Sequence, residues 1–219
     1  MNDAAPENHS TRGERKMKKA IVLVVLGCSV VVADVKPLKP EAPEFYVYKD
    51  AGSRENHFIP SGWMGDVKAL AMSQREPNGF VTGTGPTDTC MKITYKGLID
   101  EGQGWAGIYW QTPANNWGDK KGGVDLSNYK KLTFKARGEK GGERVEKFMM
   151  GGIQGQIEEG DTGNAESEMI ELKKSFQEYT IDLAGLDLTH TIGGFGLVFS
   201  SESNEKGATV FVDDVRYVQ

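Results

Sequence analysis

Short runs in which polar and apolar residues alternate constrain the fold of this chain most strongly. In "KLTFKAR" the apolar residues Leu132, Phe134 and Ala136 occupy every second position. Successive side chains of a β-strand point to opposite faces, so this period predicts a strand with one buried face. Further strand-like runs occur through the chain: "EFYVYKD", "TCMKITY", "GWAGIYWQ", "VEKFMMGGI", "FQEYTIDL", "GGFGLVFS" and "TVFVDDVRYV".

Turns separate these runs at short intervals. The chain has 28 glycines in 219 residues, and "GEKGGE" is one of its turn-like segments. Almost no segment has the 3.6-residue period of an amphipathic helix, so alternating strand–helix units are not indicated. We therefore predict an all-β fold, an antiparallel β-sandwich, formed as one domain by residues 44–219.

The first 43 residues have a different character. Residues 1–33 contain a polar stretch, two lysines and then the apolar run "AIVLVVLGCSVVV". A basic stretch followed by about 7–15 apolar residues is typical of a secretory signal and is too short for a transmembrane helix. Residues 34–43 are proline-rich and predict a linker. We expect residues 1–43 to be a leader and a tether, with Met17 as an alternative start to Met1.

Two processing sites compete within the leader. The segment "VLGC" ends at Cys28 and resembles a bacterial lipobox, in which the cysteine is lipidated and becomes the new N-terminus. Cleavage after Ala33 is the alternative. Lipidation of Cys28 would leave Cys90 without a disulfide partner, and we expect Cys90 to be a small buried apolar residue. We therefore predict that the protein is exported. It would be either secreted or attached to the cell envelope, and its only link to the membrane would be a lipid anchor.

Longer segments carry a family resemblance. The runs "VDLSNYKKLTFKARGEKGGERVEKFMMGGIQG", "FQEYTIDLAGLDLTHTIGGFGLVF" and "TVFVDDVRYV" resemble the galactose-binding-like jelly rolls of bacterial non-catalytic carbohydrate-binding modules. The resemblance covers roughly Phe45 to Val218. It implies a jelly-roll sandwich that binds a polysaccharide or oligosaccharide and leaves it intact.

The same resemblance implies a structural Ca²⁺ that joins the first strand to the last. Its ligands would be Asp50 in "YKDAG" and Asp213 or Asp214 in "VFVDDV". Carboxylates brought together at a sandwich edge repel one another unless a cation intervenes, and oxygen ligands suit calcium. The alternative is that Asp214 pairs with Arg216 in water. Alternation alone does not decide which aspartate faces inward.

The tryptophans are concentrated in one place. The stretch "GWAGIYWQTPANNWGD", residues 104–119, holds three of the four. Sugar rings have apolar faces and a rim of hydroxyls, so flat aromatic rings beside planar polar groups suit them. Strand alternation places Ile108 and Trp110 toward the core and Trp105 and Tyr109 outward. A packing role is the alternative for each aromatic residue.

Polar neighbours complete the predicted carbohydrate site. Arg137 ends a strand on its outer side and could bind vicinal hydroxyls, or could pair instead with Glu139 or Glu143. The predicted carbohydrate-binding residues are Trp63, Trp105, Tyr109, Asn115, Asn116, Trp117, Asp119 and Arg137.

Charge and motifs narrow the function further. The formal net charge of −5 disfavours nucleic acid, whose binding depends on lysine and arginine. The sequence has neither an H-E-x-x-H nor a G-x-S-x-G motif, and we predict no catalytic residue. We expect a monomer that binds carbohydrate. The alternatives are a structural or protein-binding surface lipoprotein and a polysaccharide-acting hydrolase or lyase.

Overall fold

The structure, a computed structural model, describes residues 36–77, 88–154 and 159–219. The predicted leader and both of its processing sites, Cys28 and Ala33, lie outside the described residues. Within the described part of the chain, no helix is long and apolar enough to cross a membrane.

The alternating runs form strands, as predicted. In Lys131–Gly138, for example, Leu132, Phe134 and Ala136 are fully buried, while Lys131 is exposed and Lys135 and Arg137 are half-buried. A 3₁₀ turn at Val67–Ala69 is the one helical element among the described residues. The strands are β1 Glu44–Tyr48, β2 Ile59–Gly65, β3 Leu70–Pro77, β4 Thr89–Tyr95, β5 Trp105–Gln111, β6 Lys131–Gly138, β7 Arg144–Val145, β8 Lys147–Gly151, β9 Asn164–Glu166, β10 Ile170–Glu171, β11 Gln177–Asp182, β12 Gly193–Ser200 and β13 Ala208–Val218.

These strands form two main antiparallel sheets. The six-stranded sheet has the order β11-β6-β13-β4-β3, with β1 also paired to β13. The five-stranded sheet has the order β2-β5-β12-β8-β9, and β7 and β10 form a separate short pair. Apart from β3–β4 and β8–β9, neighbouring strands in these two sheets are not consecutive in sequence, so the pairing depends on long-range contacts rather than on hairpins alone.

The core lies between the two sheets. Phe134 of the six-stranded sheet has its ring centroid 4.5 Å from that of Phe148 and 5.4 Å from that of Phe195, both in the five-stranded sheet. Tyr95 and Phe199 stack across the same interface at 5.5 Å. Interdigitating side chains from two facing sheets define a β-sandwich, and the predicted architecture is confirmed.

The described part of the predicted linker, residues 36–43, contacts the domain. Leu38 forms a β-bridge with Val124, and its carbonyl accepts a hydrogen bond of 2.8 Å from the Asp125 amide. The Tyr129 hydroxyl donates to the carbonyl of Ala42 at 2.9 Å. This segment therefore lies along the sandwich before β1 begins.

Two of the longer strands, β2 and β3, do not follow from the sequence pattern. β2 contains Pro60 and two glycines, and β3 is polar over much of its length. β2 is an edge strand, where a proline without an N–H group is tolerated. Its register shifts between Pro60 and Gly62, which is a second departure from regular alternation. Pairing with β5 and β4, rather than local propensity, makes these two segments strands.

Candidate functional site

The alternation predicted for β5 is confirmed. Ile108 and Trp110 are fully buried in the sandwich core, where the Trp110 ring contacts the ring of Phe195 at 5.4 Å. Trp105 and Tyr109 lie on the opposite side of the strand, on the outer face of the five-stranded sheet. The strand thus divides its aromatic residues between packing and surface.

Trp117 joins this outer face from the loop that follows β5. Its ring meets the ring of Tyr109 edge to face, at 6.3 Å and 89°. Trp117 is 40% exposed and Trp105 is 36% exposed, whereas Tyr109 is only 7% exposed. We call Trp105, Tyr109 and Trp117 the aromatic platform.

Tyr109 is mostly buried, so it supports the aromatic platform rather than offering its own ring face to a ligand. Its hydroxyl donates to the carbonyl oxygen of Gly151 at 2.8 Å, and burial raises the pKa of this phenol well above its ordinary value. The ring packs in a small outer cluster with Met149, Ile153 and Ile192. Trp117 therefore rests on a fixed base, and its own face remains accessible.

The centre of the platform is flat because glycines line it. Gly107 and Gly196 lie on the outer face beside Met64 and Val198. A Cβ atom at Gly107 would lie 2.9 Å from the Met64 methyl and 2.8 Å from the Leu197 carbonyl oxygen. The Cα atoms of Trp105 and Tyr109 are about 13 Å apart along the strand, at about 3.3 Å per residue. A flat apolar strip therefore separates the two exposed tryptophans.

The Trp105 end is held by neighbouring backbone. Gly65 has a φ of +62°, and a Cβ there would lie 2.9 Å from the Trp105 ring, so only glycine leaves room for it. The carboxylate of Asp66 accepts hydrogen bonds of 2.9 Å from the amides of Gln103 and Gly104. The Asp66 amide donates to the Trp105 carbonyl at 2.9 Å. Asp66 thus fixes the entry into β5.

Asn116 requires a correction. It is fully buried, and its Oδ1 accepts hydrogen bonds from the amides of Gly118 and Lys120 while its Nδ2 donates to the Lys120 carbonyl at 3.0 Å. The side chain of Gln111 also donates to the Asn116 carbonyl at 2.8 Å. The predicted contact of Asn116 with sugar hydroxyls is therefore wrong, because its amide organises the loop that carries Trp117.

Asn115 and Asp119 are both exposed on that loop. The Asn115 amide donates to the Ser61 hydroxyl at 2.8 Å, which ties the loop to β2. One carboxylate oxygen of Asp119 accepts from the Trp117 amide at 3.1 Å. Both side chains flank Trp117, and their contact with a ligand stays a prediction.

Trp63 lies on the other side of the five-stranded sheet. It pairs in register with Ile108, whose side chain is in the core, while its neighbour Met64 pairs with Gly107 on the outer face. Trp63 is 39% exposed because β2 is an edge strand. The structure does not bring it into the aromatic platform.

Arg137 is also separated from the platform. It belongs to β6 in the six-stranded sheet and pairs in register with Phe211, on the face away from the core. Its guanidinium carbon lies 3.7 Å above the Phe211 ring centroid, and neither Glu139 nor Glu143 forms a salt bridge with it among the described residues. Arg137 therefore lies on a different sheet from the tryptophans, because alternation fixes a face and not a sheet, and its contact with a carbohydrate stays a prediction.

Two residues outside the predicted site hold the loops around it. The carboxylate of Asp161 accepts hydrogen bonds from three backbone amides, at 2.8, 2.6 and 3.1 Å, those of Ile153, Ile192 and Gly193. Burial raises the pKa of Asp161 above its ordinary value, and the three amide donors oppose that rise. Asp161 therefore anchors the segment that carries Ile153 beneath Tyr109.

The second of these residues is His190. Its Nδ1 lies 2.7 Å from the Gly160 carbonyl oxygen and its Nε2 lies 2.9 Å from that of Gly122. The ring thus spans the loop that carries Asp161 and the loop that carries Trp117. No short motif marks Asp161 or His190 in the sequence, since their partners are backbone groups of remote segments.

The three predicted calcium ligands lie at the junction of β1 and β13. Asp50 accepts a hydrogen bond from the Thr89 amide at 2.8 Å, and Asp214 forms a salt bridge of 2.6 Å with Lys135. Burial, followed by the charge of Asp214, raises the pKa of the Asp213 carboxyl to about 7. Within the described ranges, no group of three or more histidine, cysteine or acidic side chains is placed to hold a metal. The calcium site stays a prediction.

Cys90 is fully buried on β4, as predicted. Burial, reinforced by the charge of Asp213, raises the pKa of its thiol to about 12. The thiolate is therefore scarce at neutral pH, so the residue packs as a small apolar side chain.

Comparison with solved structures gives the same fold. The family 30 carbohydrate-binding module of the cellulosomal cellulase Cel9D-Cel44B of Clostridium thermocellum matches with a TM-score of 0.51 and 16% identity, over 80% of this chain and 97% of that one. The fold is that of a jelly-roll carbohydrate-binding module. A second family 30 module matches with a TM-score of 0.51 and 14% identity, over 80% of this chain and 87% of that one.

A third similar structure is the family 11 module of the Clostridium thermocellum cellulase Lic26A-Cel5E, with a TM-score of 0.47 and 18% identity over 78% and 92% of the two chains. No protein-family model matches the chain, and no curated protein matches it. At these identities the likeness to the two family 30 modules concerns the fold, and it confirms the predicted jelly-roll resemblance at that level.

Proposed function

We propose that the aromatic platform binds one strand of a neutral polysaccharide without cleaving it. The observation that carries the proposal is the pair of exposed tryptophans, Trp105 and Trp117, at the two ends of a flat strip lined by glycines. Each indole can stack on the apolar face of a sugar ring. Because the strip is open at the surface, it suits an internal stretch of a chain rather than a single sugar.

The polar residues of the platform suit this ligand. Asn115 and Asp119 flank Trp117 and can bond equatorial hydroxyls, while the Lys147–Glu166 ion pair of 2.8 Å borders the strip on β8 and β9. Two stacked rings with a few hydrogen bonds give roughly 4–7 kcal/mol, which corresponds to millimolar to about ten-micromolar dissociation. Binding of this strength gains from tethering or from several modules on one surface.

Affinity electrophoresis through gels that contain β-glucan, xylan or mannan tests the platform. We expect one of these polymers to retard the protein, and Trp105→Ala or Trp117→Ala to weaken binding at least tenfold, about 1.4 kcal/mol. Trp63→Ala is the matched control, because Trp63 is equally exposed on the other side of the sheet. Equal retardation of all three variants would contradict the proposal. Release of soluble sugars would favour a hydrolase or lyase instead.

Export and lipid attachment form a separate part of the proposal. They rest on the apolar run that precedes "VLGC" and on the cysteine at position 28. We propose that Cys28 carries lipid and that the monomeric domain is displayed at the cell envelope. Cys28→Ala should move the protein from the membrane fraction to the soluble fraction; retention with the membrane would count against the lipobox.

A further inference from the structure

We propose a second binding site, for the carboxylate of an acidic polysaccharide, on the outer face of the six-stranded sheet. It consists of Arg137, Lys92 and the ring of Phe211 between them, and we call it the cationic subsite. It lies on the opposite side of the sandwich from the aromatic platform, and it does not depend on the function proposed for that platform.

The first support is the arrangement of two cations over one ring. The Arg137 guanidinium carbon is 3.7 Å from the Phe211 ring centroid, and the Lys92 ammonium nitrogen is 5.8 Å from the same centroid. Phe176 contacts the guanidinium from a further side, at 5.3 Å. One guanidinium nitrogen, Nη1, donates to the Gly138 carbonyl at 3.2 Å. Stacking and this bond fix the guanidinium plane, and the remaining N–H groups can meet a carboxylate in that plane.

The second support is the way charges are paired on this face. Lys135 pairs with Asp214, and Arg216 pairs with Glu44 and Glu178. Among the residues that the structure describes, Lys92 and Arg137 form no salt bridge. Two cations near one ring repel each other, and an anion between them removes that repulsion.

Two acidic residues lie near the subsite along the strands. Asp213 pairs in register with Lys135, and its Oδ1 accepts from the Asp214 amide at 2.9 Å. Glu76 pairs in register with Cys90, beyond Lys92 on β4. In the part of the chain that the structure describes, carboxylates therefore border the cationic subsite without forming a salt bridge to Lys92 or Arg137.

The third support is the surface beside Lys92. An open hollow of about 200 Å³ is lined by Ala71, Met72, Ser73, Lys92 and Thr94. The Thr94 and Thr209 hydroxyls lie 3.4 Å apart at its margin. A shallow hollow with a cation, hydroxyls and an apolar floor fits a sugar ring that carries a carboxylate, and its openness admits a polymer.

Isothermal titration of the full-length protein with polygalacturonate tests the subsite, with methyl-esterified polygalacturonate as the uncharged comparison. We expect the acidic polymer to bind at least tenfold more tightly than the ester. Arg137→Gln and Lys92→Gln should each weaken binding about tenfold, since each removes a charge-assisted contact. Lys131→Gln is the matched control, an exposed cation on the same face of β6, and should change affinity less than twofold.

The outcomes separate the two sites. Polygalacturonate binding that survives Trp105→Ala and Trp117→Ala supports the cationic subsite, and its loss in those variants would overturn it. Equal affinity for the acid and the ester would also overturn it, as would equal effects of Lys131→Gln and Lys92→Gln. Because Arg137 packs on Phe211, Arg137→Lys and a thermal melt distinguish lost charge from lost folding. Failure of neutral glycans to bind concerns the aromatic platform alone.

Discussion

The two outer faces of the sandwich cover the same core with opposite chemistry. The five-stranded sheet exposes Trp105 and Trp117 around Gly107 and Gly196, so its surface is flat and largely apolar. The six-stranded sheet exposes lysine and arginine side chains, several of them paired with acids. The difference shows that strand alternation determines which residues are buried, while the identity of the alternate residues determines what each face can bind.

The largest expected effect compares the two sides of β5. Trp110→Ala should destabilise the protein by about 3–5 kcal/mol, because it removes a large buried ring from the core. Trp105→Ala on the outer side should change stability by less than about 0.5 kcal/mol. Urea unfolding followed by intrinsic fluorescence measures both. Similar losses of stability in the two variants would show that Trp105 is a packing residue. They would contradict the division of β5 into a core side and a surface side.

Trp110→Phe is the control for this prediction. The Trp110 Nε1–H is buried and has no hydrogen-bond acceptor among the described residues. Replacing the indole with a phenyl ring therefore sacrifices volume but no hydrogen bond. We expect a smaller loss of stability than in Trp110→Ala.

Alternation explains why part of the fold and of the site could be predicted. The division of β5 into buried Trp110 and outward Trp105 depends only on a period of two within one strand. The correct positions of Leu132 and Phe134 have the same origin. These predictions needed no knowledge of which strand pairs with which.

The residues whose surroundings the sequence did not reveal depend on contacts that no local pattern shows. Arg137 was assigned the correct face of its strand, but sheet membership depends on pairing with β13. Asn116 has the right chemistry for a sugar, yet its amide is used by the backbone of its own loop. Asp161 lies in an acidic stretch that has no recognisable motif, and its three donors come from two distant segments. The presence of polar side chains near an aromatic residue does not show whether they bond a ligand or the protein's own backbone.

The second prediction concerns the carboxylates of Asp50, Asp213 and Asp214, which lie at the junction of β1 and β13. The pKa of Asp213 is raised to about 7 in the folded protein, against about 3.9 in an unfolded chain. The folded state therefore binds this proton more tightly than the unfolded state does. Protonation of Asp213 stabilises the folded protein below about pH 4, and this stabilisation is lost as the pH rises from about 4 through 7. Without calcium we expect the free energy of unfolding to fall by roughly 2–4 kcal/mol over this range. Asp213→Asn should flatten this dependence; an unchanged slope would contradict it.

Calcium sharpens the same prediction. If Ca²⁺ binds Asp213 with Asp50 or Asp214, it stabilises the ionised carboxylates that are unfavourable alone. Melting temperatures at pH 8 should then be higher in calcium than in EDTA, and Asp213→Asn should remove the difference. The same melting temperature in calcium and EDTA would exclude the structural calcium.

The third prediction concerns the support beneath the aromatic platform. Asp161→Ala leaves three backbone N–H groups without their acceptor, and we expect a loss of stability of about 2–3 kcal/mol. Asp161→Asn keeps one acceptor oxygen and should cost less. Both variants should also weaken glycan binding, because the Ile153 segment packs beneath Tyr109. Hydrogen exchange of the Ile192 and Gly193 amides measures the loosening directly, and unchanged protection would contradict it.

The smallest expected effect on stability concerns the one ion pair at the border of the platform. Lys147 and Glu166 form a contact of 2.8 Å with side chains 37% and 52% exposed, so Lys147→Met should change stability by less than about 0.5 kcal/mol. Raising the salt to 0.5 M should leave neutral-glycan binding almost unchanged, because stacking is not screened, while polygalacturonate binding on the other face should weaken several-fold. A matching salt dependence for both ligands would mean that charge governs both faces, and the chemical contrast between them would no longer hold.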